Sequence, residues 1–216
     1  MTTNTPTITP ALGPHQDTDA DAYDIINTYI AFGEQPSLLR NIVLKLAFLL
    51  YTGDWFPDKW PRWTHVYVIE YNVTTQNLVF YELDDTHGMR MSCVEVTKCT
   101  YRSDTGELEF KFDTFYGGQQ VNRVPALDVT TLAAQDDVDV EDNWYKYYTP
   151  TKMTWWTALQ HLRGPEHDRL MWTCSGLTQA LLGWDGPRAF NRPRTPDQLY
   201  NYYTPPTVSN TLTYPD

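Results

Sequence analysis

The sequence contains few cysteines and few basic residues, and each shortage narrows the classes of protein to consider. Its three cysteines, Cys93, Cys99 and Cys174, are spaced irregularly, which indicates neither a disulfide framework nor a zinc site. Lys and Arg number 16 against 27 Asp and Glu, a formal net charge of -11. Because nucleic-acid binding depends on cations that neutralise phosphates, this charge argues against nucleic acid as a partner. We expect no metal ion and no cofactor.

Long apolar runs are also missing. The chain starts Met-Thr-Thr-Asn-Thr-Pro instead of with a basic and then apolar leader, and no run approaches the length of a membrane span. These features predict a protein with no signal peptide and no transmembrane segment, cytoplasmic when synthesised. Residues 1–19 are rich in Thr, Pro and Asp, and predict a flexible polar arm. Residues 20–216 are long enough to form a single domain with its own core.

The first part of that domain has two apolar stretches separated by a break at Pro36. In the first stretch, from residue 22 onward, apolar side chains recur at helical spacing and predict a helix: Ile25, Ile26, Tyr29 and Ile30. The second stretch includes residues 44–50, for which periodicity does not distinguish a helix from a buried strand.

The middle of the chain has the composition of strands. Residues 64–71 and 78–83 are rich in Val, Ile, Tyr and Leu, and they flank a polar turn at 72–77, which predicts a hairpin. Residues 89–101 and 108–115 continue this pattern as a meander. The acidic segment 136–142 follows, and we expect it to be a solvated loop.

The C-terminal part has the signals of three helices. Residues 154–162 form one candidate, Thr173 and Gly183 bound a second, and Thr195 followed by Pro196 begins a third. Combined with the strands, these helices predict an α+β domain in which an antiparallel sheet packs against helices.

Cys174 lies in the first turn of the second of these helices. A thiol there has a lowered pKa, because the unpaired N–H groups and the helix dipole favour the thiolate. Ser175 and Gly176 are small and leave room for a substrate to approach. Cys93 and Cys99 have no such helix start, and we expect them to be packing residues.

His65 begins the first strand of the hairpin. If the hairpin is centred on the turn at 72–77, His65 shares a face with the even-numbered residues of the partner strand, including Glu82 and Asp84. Glu82 is then placed to orient the imidazole. A histidine that is held by a carboxylate and meets a thiol at a helix start is the general arrangement of an acyl-transfer triad.

These residues resemble those of circularly permuted papain-like hydrolases of the NlpC type, in which the histidine precedes the cysteine in the sequence. The resemblance is carried by short motifs within residues 44–203: Leu49-Leu50-Tyr51-Thr52-Gly53-Asp54, Trp63-Thr64-His65-Val66, Val79-Phe80-Tyr81-Glu82, Trp172-Thr173-Cys174-Ser175-Gly176-Leu177 and Thr195-Pro196-Asp197-Gln198-Leu199. It implies a permuted papain-like fold and a cysteine hydrolase that cleaves peptide or peptidoglycan amides, or acyl esters. Nothing in the chain selects between these substrates.

By this resemblance, Cys174 is the catalytic nucleophile, His65 the general base and Glu82 the residue that orients the imidazole. Relatives similar to lecithin:retinol acyltransferase use a second histidine, so His87 is an alternative third member, as is Asp84. The chain departs from the family at Val66-Tyr67, where related strands often have glycine and where Tyr67 could crowd the cleft. Residues 116–148 have no family counterpart and are interpreted as an insertion.

The alternative is a catalytically inactive structural or interaction protein of the same fold, such as a component of a phage virion with protein partners. The polar N-terminal arm and the Thr- and Tyr-rich end of the chain suit an assembly subunit. The run Tyr145 to Tyr148 is either a stacking platform for a ligand or part of the core, and the sequence leaves both open.

Overall fold

The protein is described from a computed structural model. The structure describes residues 25–34, 38–52, 60–84, 88–114, 116–148, 173–183 and 195–204. The predicted arm at residues 1–19, the predicted helix at 154–162 and His87 lie outside these ranges.

The described residues form an α+β structure with one sheet of seven antiparallel strands and five helices. The strands are β1 (Ile26–Gly33), β2 (His65–Asn72), β3 (Asn77–Asp84), β4 (Gly88–Glu95), β5 (Lys98–Arg102), β6 (Glu107–Asp113) and β7 (Gln119–Asp128). The helices are α1 (Leu38–Thr52), α2 (Thr130–Gln135), α3 (Val140–Tyr147), α4 (Cys174–Leu181) and α5 (Pro196–Tyr203). The strand order in the sheet is β4-β3-β2-β1-β7-β6-β5.

The helix predicted from Ile25 to Ile30 is wrong, because this segment forms strand β1. β1 lies between β2 and β7, near the middle of the sheet. Every residue from Thr28 to Phe32 is buried, so the strand has apolar side chains on both faces. A strand covered on both sides loses the alternation of polar and apolar residues, and a continuous apolar run can imitate helical spacing.

The apolar stretch at residues 44–50, which periodicity left undecided, belongs to helix α1. One side of α1 packs inward through Ala47, Phe48 and Leu49, while Leu38 and Leu39 at its start are exposed. None of the helices in the described ranges is both long and apolar enough to cross a membrane.

The predicted hairpin is confirmed in position and register. β2 and β3 flank a turn at residues 73–76, and Asn72 pairs with Asn77. The side chain of Asn72 accepts a hydrogen bond from the N–H of Thr75 at 2.9 Å, and Gln76 takes the left-handed conformation with φ of 57°. This register brings even-numbered residues of β3 to the same face as odd-numbered residues of β2.

The sheet curls so that its two edge strands, β4 and β5, approach each other at one end. They are joined by Val96 and Thr97, whose N–H groups bond to the carbonyls of Gln76 at 2.9 Å and Lys111 at 2.8 Å. The curl produces two cores. The inner core lies inside it and includes Tyr29, Ala31, Ile69, Leu78, Leu108 and Phe110. The outer core lies on the other face of the sheet, against the helices, and includes Ile30, Phe32, Val66, Val68, Leu177 and Leu181.

The segment 116–148, interpreted as an insertion, contributes strand β7 and helices α2 and α3 to this fold. The acidic segment 136–142 is not a loop throughout, because its second half begins α3. Asp139 caps that helix by accepting a hydrogen bond from the N–H of Asp142 at 2.8 Å. Acidic side chains suit this position, since the N-terminus of a helix carries partial positive charge.

The two C-terminal helices begin where the sequence predicts. Thr173 caps α4, and Gly183 follows its end with a φ of 73°. Thr195 and Gln198 form a capping box at the start of α5. Helix α4 packs mainly against β2, and it contributes Leu181 to the outer core.

Leu181 provides a test of this packing. Its side chain is 0% exposed, so Leu181→Ala should lower the free energy of unfolding by about 2–5 kcal/mol through lost burial and a cavity. Leu38→Ala is the matched control, because Leu38 is also helical but 75% exposed, and it should change stability by less than about 0.5 kcal/mol. Urea denaturation followed by circular dichroism measures both; equal effects would contradict the assignment of the outer core.

Candidate active site

Cys174 is the first residue of α4, and the helix start around it is well formed. The hydroxyl of Thr173 accepts a hydrogen bond from the N–H of Gly176 at 2.9 Å. The Cys174 side chain is buried, with 8% exposure, and so are Ser175 and Gly176. That these two small residues let a substrate approach the thiol stays a prediction.

The thiol meets β2 where that strand separates from β3. The two strands pair from Val68 and Tyr81 towards the turn, and β2 does not pair with β3 at residues 65–67, where it pairs only with β1. The N–H of Val66 instead donates a hydrogen bond to Cys174. The thiol also hydrogen-bonds to the imidazole of His65. The N-terminus of α4 thus fits into the separation between the strands, and Cys174 reaches the histidine there.

Glu82 lies on the other side of the His65 ring. One carboxylate oxygen, Oε2, is 3.5 Å from Nε2 of His65. The second oxygen, Oε1, accepts a hydrogen bond from Nε of Arg90 at 2.9 Å and another from Nη2 of the same side chain. Tyr67 stacks on the His65 ring with 5.5 Å between the ring centres. The sequence prediction that His65 and Glu82 share a face and come together is confirmed.

The electrostatics of the site favour a thiolate paired with an imidazolium. Burial disfavours the charged imidazole, but hydrogen bonds and charge from Cys174 and Glu82 outweigh it and raise the pKa of His65. Burial likewise disfavours the thiolate, but the partners of the thiol, His65 above all, lower the pKa of Cys174. A raised pKa of His65 and a lowered pKa of Cys174 both favour the pair of imidazolium and thiolate over the neutral pair.

The carboxylate completes this arrangement. Burial raises the pKa of Glu82, yet hydrogen bonds from His65 and Arg90 outweigh that effect and lower it. Burial and the nearby charge of Glu82 raise the pKa of Tyr67, so its phenol is neutral. Charges of alternating sign therefore run from Cys174 through His65 and Glu82 to Arg90.

Two further residues lie at the site, Tyr67 and Arg90, and the sequence indicated only the first. Tyr67 was expected to crowd the cleft, and it does lie against the His65 ring. Arg90 was not predicted. The register of the hairpin β3–β4, which pairs Glu82 with Arg90, is the signal that could have identified it. Asp84 ends β3 opposite Gly88, and its side chain and His87 lie outside what the structure describes.

The other candidates lie elsewhere. Cys93 is exposed, so its expected packing role is wrong, whereas Cys99 is half-buried against the inner core. Trp144 of α3 is buried, while Tyr145 and, just after the helix, Tyr148 are exposed, so the aromatic run is divided between core and surface. The described residues contain no group of three His, Cys, Asp or Glu side chains that could hold a metal ion.

Compared with protein-family models, with curated proteins and with solved structures, the chain matches none of them.

The paired charges predict an unusual pH dependence for alkylation at Cys174. Because its pKa is lowered, the reaction with iodoacetamide should persist well below the ordinary thiol pKa of about 8.5. In His65→Ala the thiol stays buried without its imidazolium, and the rate at pH 6 should fall at least about tenfold, one pKa unit being a tenfold change in thiolate. Peptide mass spectrometry gives the rate at each cysteine.

Two internal controls accompany this measurement. Cys93 is exposed and reports the reactivity of the reagent. Burial raises the pKa of Cys99 to about 12, so this cysteine should be slow at neutral pH. Alkylation at Cys174 that is as slow as at Cys99 at neutral pH, and insensitive to His65→Ala, would contradict the charged pair.

Proposed function

We propose that the protein is a cysteine hydrolase that acts by acyl transfer, with Cys174 as nucleophile, His65 as general base and acid, and Glu82 as the residue that orients the imidazole. The observation that carries this proposal is that the three side chains contact one another in order. A thiol at a helix start meets an imidazole, and a carboxylate holds that imidazole. This arrangement is the one that activates a nucleophile in acyl-transfer enzymes of unrelated folds.

In the first half of the reaction, the Cys174 thiolate attacks the carbonyl carbon of an amide or ester. The electron pair of the carbonyl moves to its oxygen, and N–H groups in the first turn of α4, such as that of Cys174, bind this oxyanion in the proposed reaction. The imidazolium of His65 then gives its proton to the leaving amine or alcohol. The oxyanion collapses, the bond to the leaving group breaks, and a thioester remains on Cys174.

The second half regenerates the enzyme. His65, now neutral, takes a proton from water, and the resulting hydroxide attacks the thioester carbonyl. The Cys174 thiolate leaves as the acid product forms, and the imidazolium is restored beside it. Glu82 stabilises the imidazolium in both halves through the contact with Nε2. The cycle consumes one water and needs no metal or redox partner.

The fold assignment that accompanies this proposal is the circularly permuted papain-like type, of the NlpC kind. Three features support it: the histidine strand precedes the cysteine helix, the sheet is antiparallel, and α4 packs against β2. The substrate classes follow from the resemblance and are peptide or peptidoglycan amides and acyl esters.

A second candidate function is that of a structural or interaction protein of the same fold, such as a virion component. Two observations favour it. The thiol is buried, and Tyr67 lies against His65, so a substrate has little room. The exposed apolar side chains of α1 also form a surface suited to protein contact: Leu38, Leu39, Ile42, Val43 and Leu46.

Loss of hydrolysis on removal of the site residues tests the first function. Activity against a panel of fluorogenic acyl esters and peptidoglycan peptides should disappear in Cys174→Ala and fall about 10²–10⁴-fold in His65→Ala, the usual contribution of a general base. Intact-mass spectrometry should detect an acyl adduct on Cys174 in the unaltered protein. Cys93→Ala is the matched control and should retain full activity, since Cys93 lies outside the site.

The competing outcome is equally specific. No hydrolysis on the whole panel, no acyl adduct and a stable oligomer by light scattering would support the structural protein instead. Hydrolysis that survives in Cys174→Ala would contradict the proposed mechanism.

A further inference from the structure

Arg90 is connected to the site through one carboxylate. It lies on β4 directly opposite Glu82 of β3, and two of its nitrogens donate to the same oxygen, Oε1. The other oxygen of Glu82, Oε2, faces the imidazole of His65. The two oxygens are thus divided between two partners, which determines the rotation of the carboxylate about its final bond.

The geometry points to Arg90 as a positioning residue: by holding Oε1 of Glu82, it keeps Oε2 on His65 and so maintains the orientation of the imidazole towards Cys174. This inference rests on the proposed function and adds a fourth member to its machinery, one that does not touch the reacting atoms.

Arginine suits this task better than lysine. Its planar guanidinium offers several N–H donors in a fixed arrangement, so two of them can restrain one oxygen, whereas a lysine ammonium acts as a point charge on a flexible stem. The guanidinium also keeps Glu82 ionised in a setting where burial favours the neutral acid.

The effect of Arg90 on the thiolate has a defined sign. Within the described ranges, the titratable and charged groups that interact at the site are Cys174, His65, Tyr67, Glu82 and Arg90. Hydrogen bonds and charge from Cys174 and Glu82 are the effects that raise the pKa of His65, and Arg90 holds that Glu82 carboxylate, so we expect Arg90 to act through it. Without Arg90 the carboxylate is less ionised and can rotate away, the imidazolium loses stabilisation, and the thiolate beside it becomes harder to form.

The chain offers a matched control pair. Arg123 on β7 lies directly opposite Glu109 on β6 and donates from Nε to its carboxylate at 2.8 Å. The Arg side chains are similarly exposed, 47% for Arg90 and 56% for Arg123. Glu109 has no contact with the candidate site among the described interactions, so Arg123→Gln removes an equivalent cross-strand pair and leaves the site intact.

The experiment is the pH profile of alkylation at Cys174 in a double-mutant cycle. The low-pH limb is the part of this profile in which the alkylation rate falls as the thiolate is protonated. In Arg90→Gln it should move to higher pH by on the order of half a pH unit, and in Arg90→Lys by less. Arg123→Gln should leave the limb in place. In the Glu82→Gln background, Arg90→Gln should produce no further shift, because a residue that acts only through Glu82 has no effect once the carboxylate is gone.

The outcomes separate this inference from the proposed function. A wild-type profile that lacks the low-pH limb would overturn the proposed function, and the inference with it. A wild-type limb that Arg90→Gln leaves unmoved, or a shift of the same size in the Glu82→Gln background, would overturn the inference alone. Circular dichroism establishes that each variant is folded, and Arg90→Lys still tests the inference if Arg90→Gln does not fold.

Discussion

The burial of both faces of β1 is the constraint on which the other elements depend. Its residues alternate between two cores, with Ile30 and Phe32 in the outer core and Tyr29 and Ala31 in the inner one. A slip of one residue in its pairing would exchange these sets, so the register with β2 is strongly specified. That register pairs Gly33 with His65. The position of His65, the candidate base, is therefore determined by the packing of β1, whose buried residues do not take part in the proposed reaction.

The site favours a charged pair in a setting that penalises charge, and the surrounding groups explain how such a pair is stabilised. Removing ions from water costs several kcal/mol each, and attraction between them offsets this only with good geometry and further hydrogen bonds. Here the thiolate has the N–H of Val66 and a helix start, and the imidazolium has Glu82. Arg90, at the solvent edge, ends the row with a charge that water can still screen. The charged and polar side chains of the site thus come from one helix and three adjacent strands. Their positive and negative charges balance across the whole row, although no single pair accounts for the balance.

The sequence predicted the parts of this site that depend on local patterns. The hairpin could be placed because its polar turn determines which residues of β2 and β3 share a face, and this brought His65 and Glu82 together. Thr173 and Gly183 likewise marked the ends of α4. The prediction failed where tertiary context overrides local pattern. β1 imitates a helix because both of its faces are covered. Arg90 needed the register of a second hairpin, which the meander pattern alone does not supply.

The order of the elements along the chain has a consequence for how the site comes into being during synthesis. His65, Glu82 and Arg90 belong to consecutive antiparallel strands joined by local contacts, which form rapidly. Cys174 comes after all seven strands that the structure describes, on a helix whose contact with β2 spans about a hundred residues of chain. A nascent chain therefore carries the candidate base and its carboxylate before the candidate nucleophile has left the ribosome, and the thiol meets the imidazole only when α4 docks.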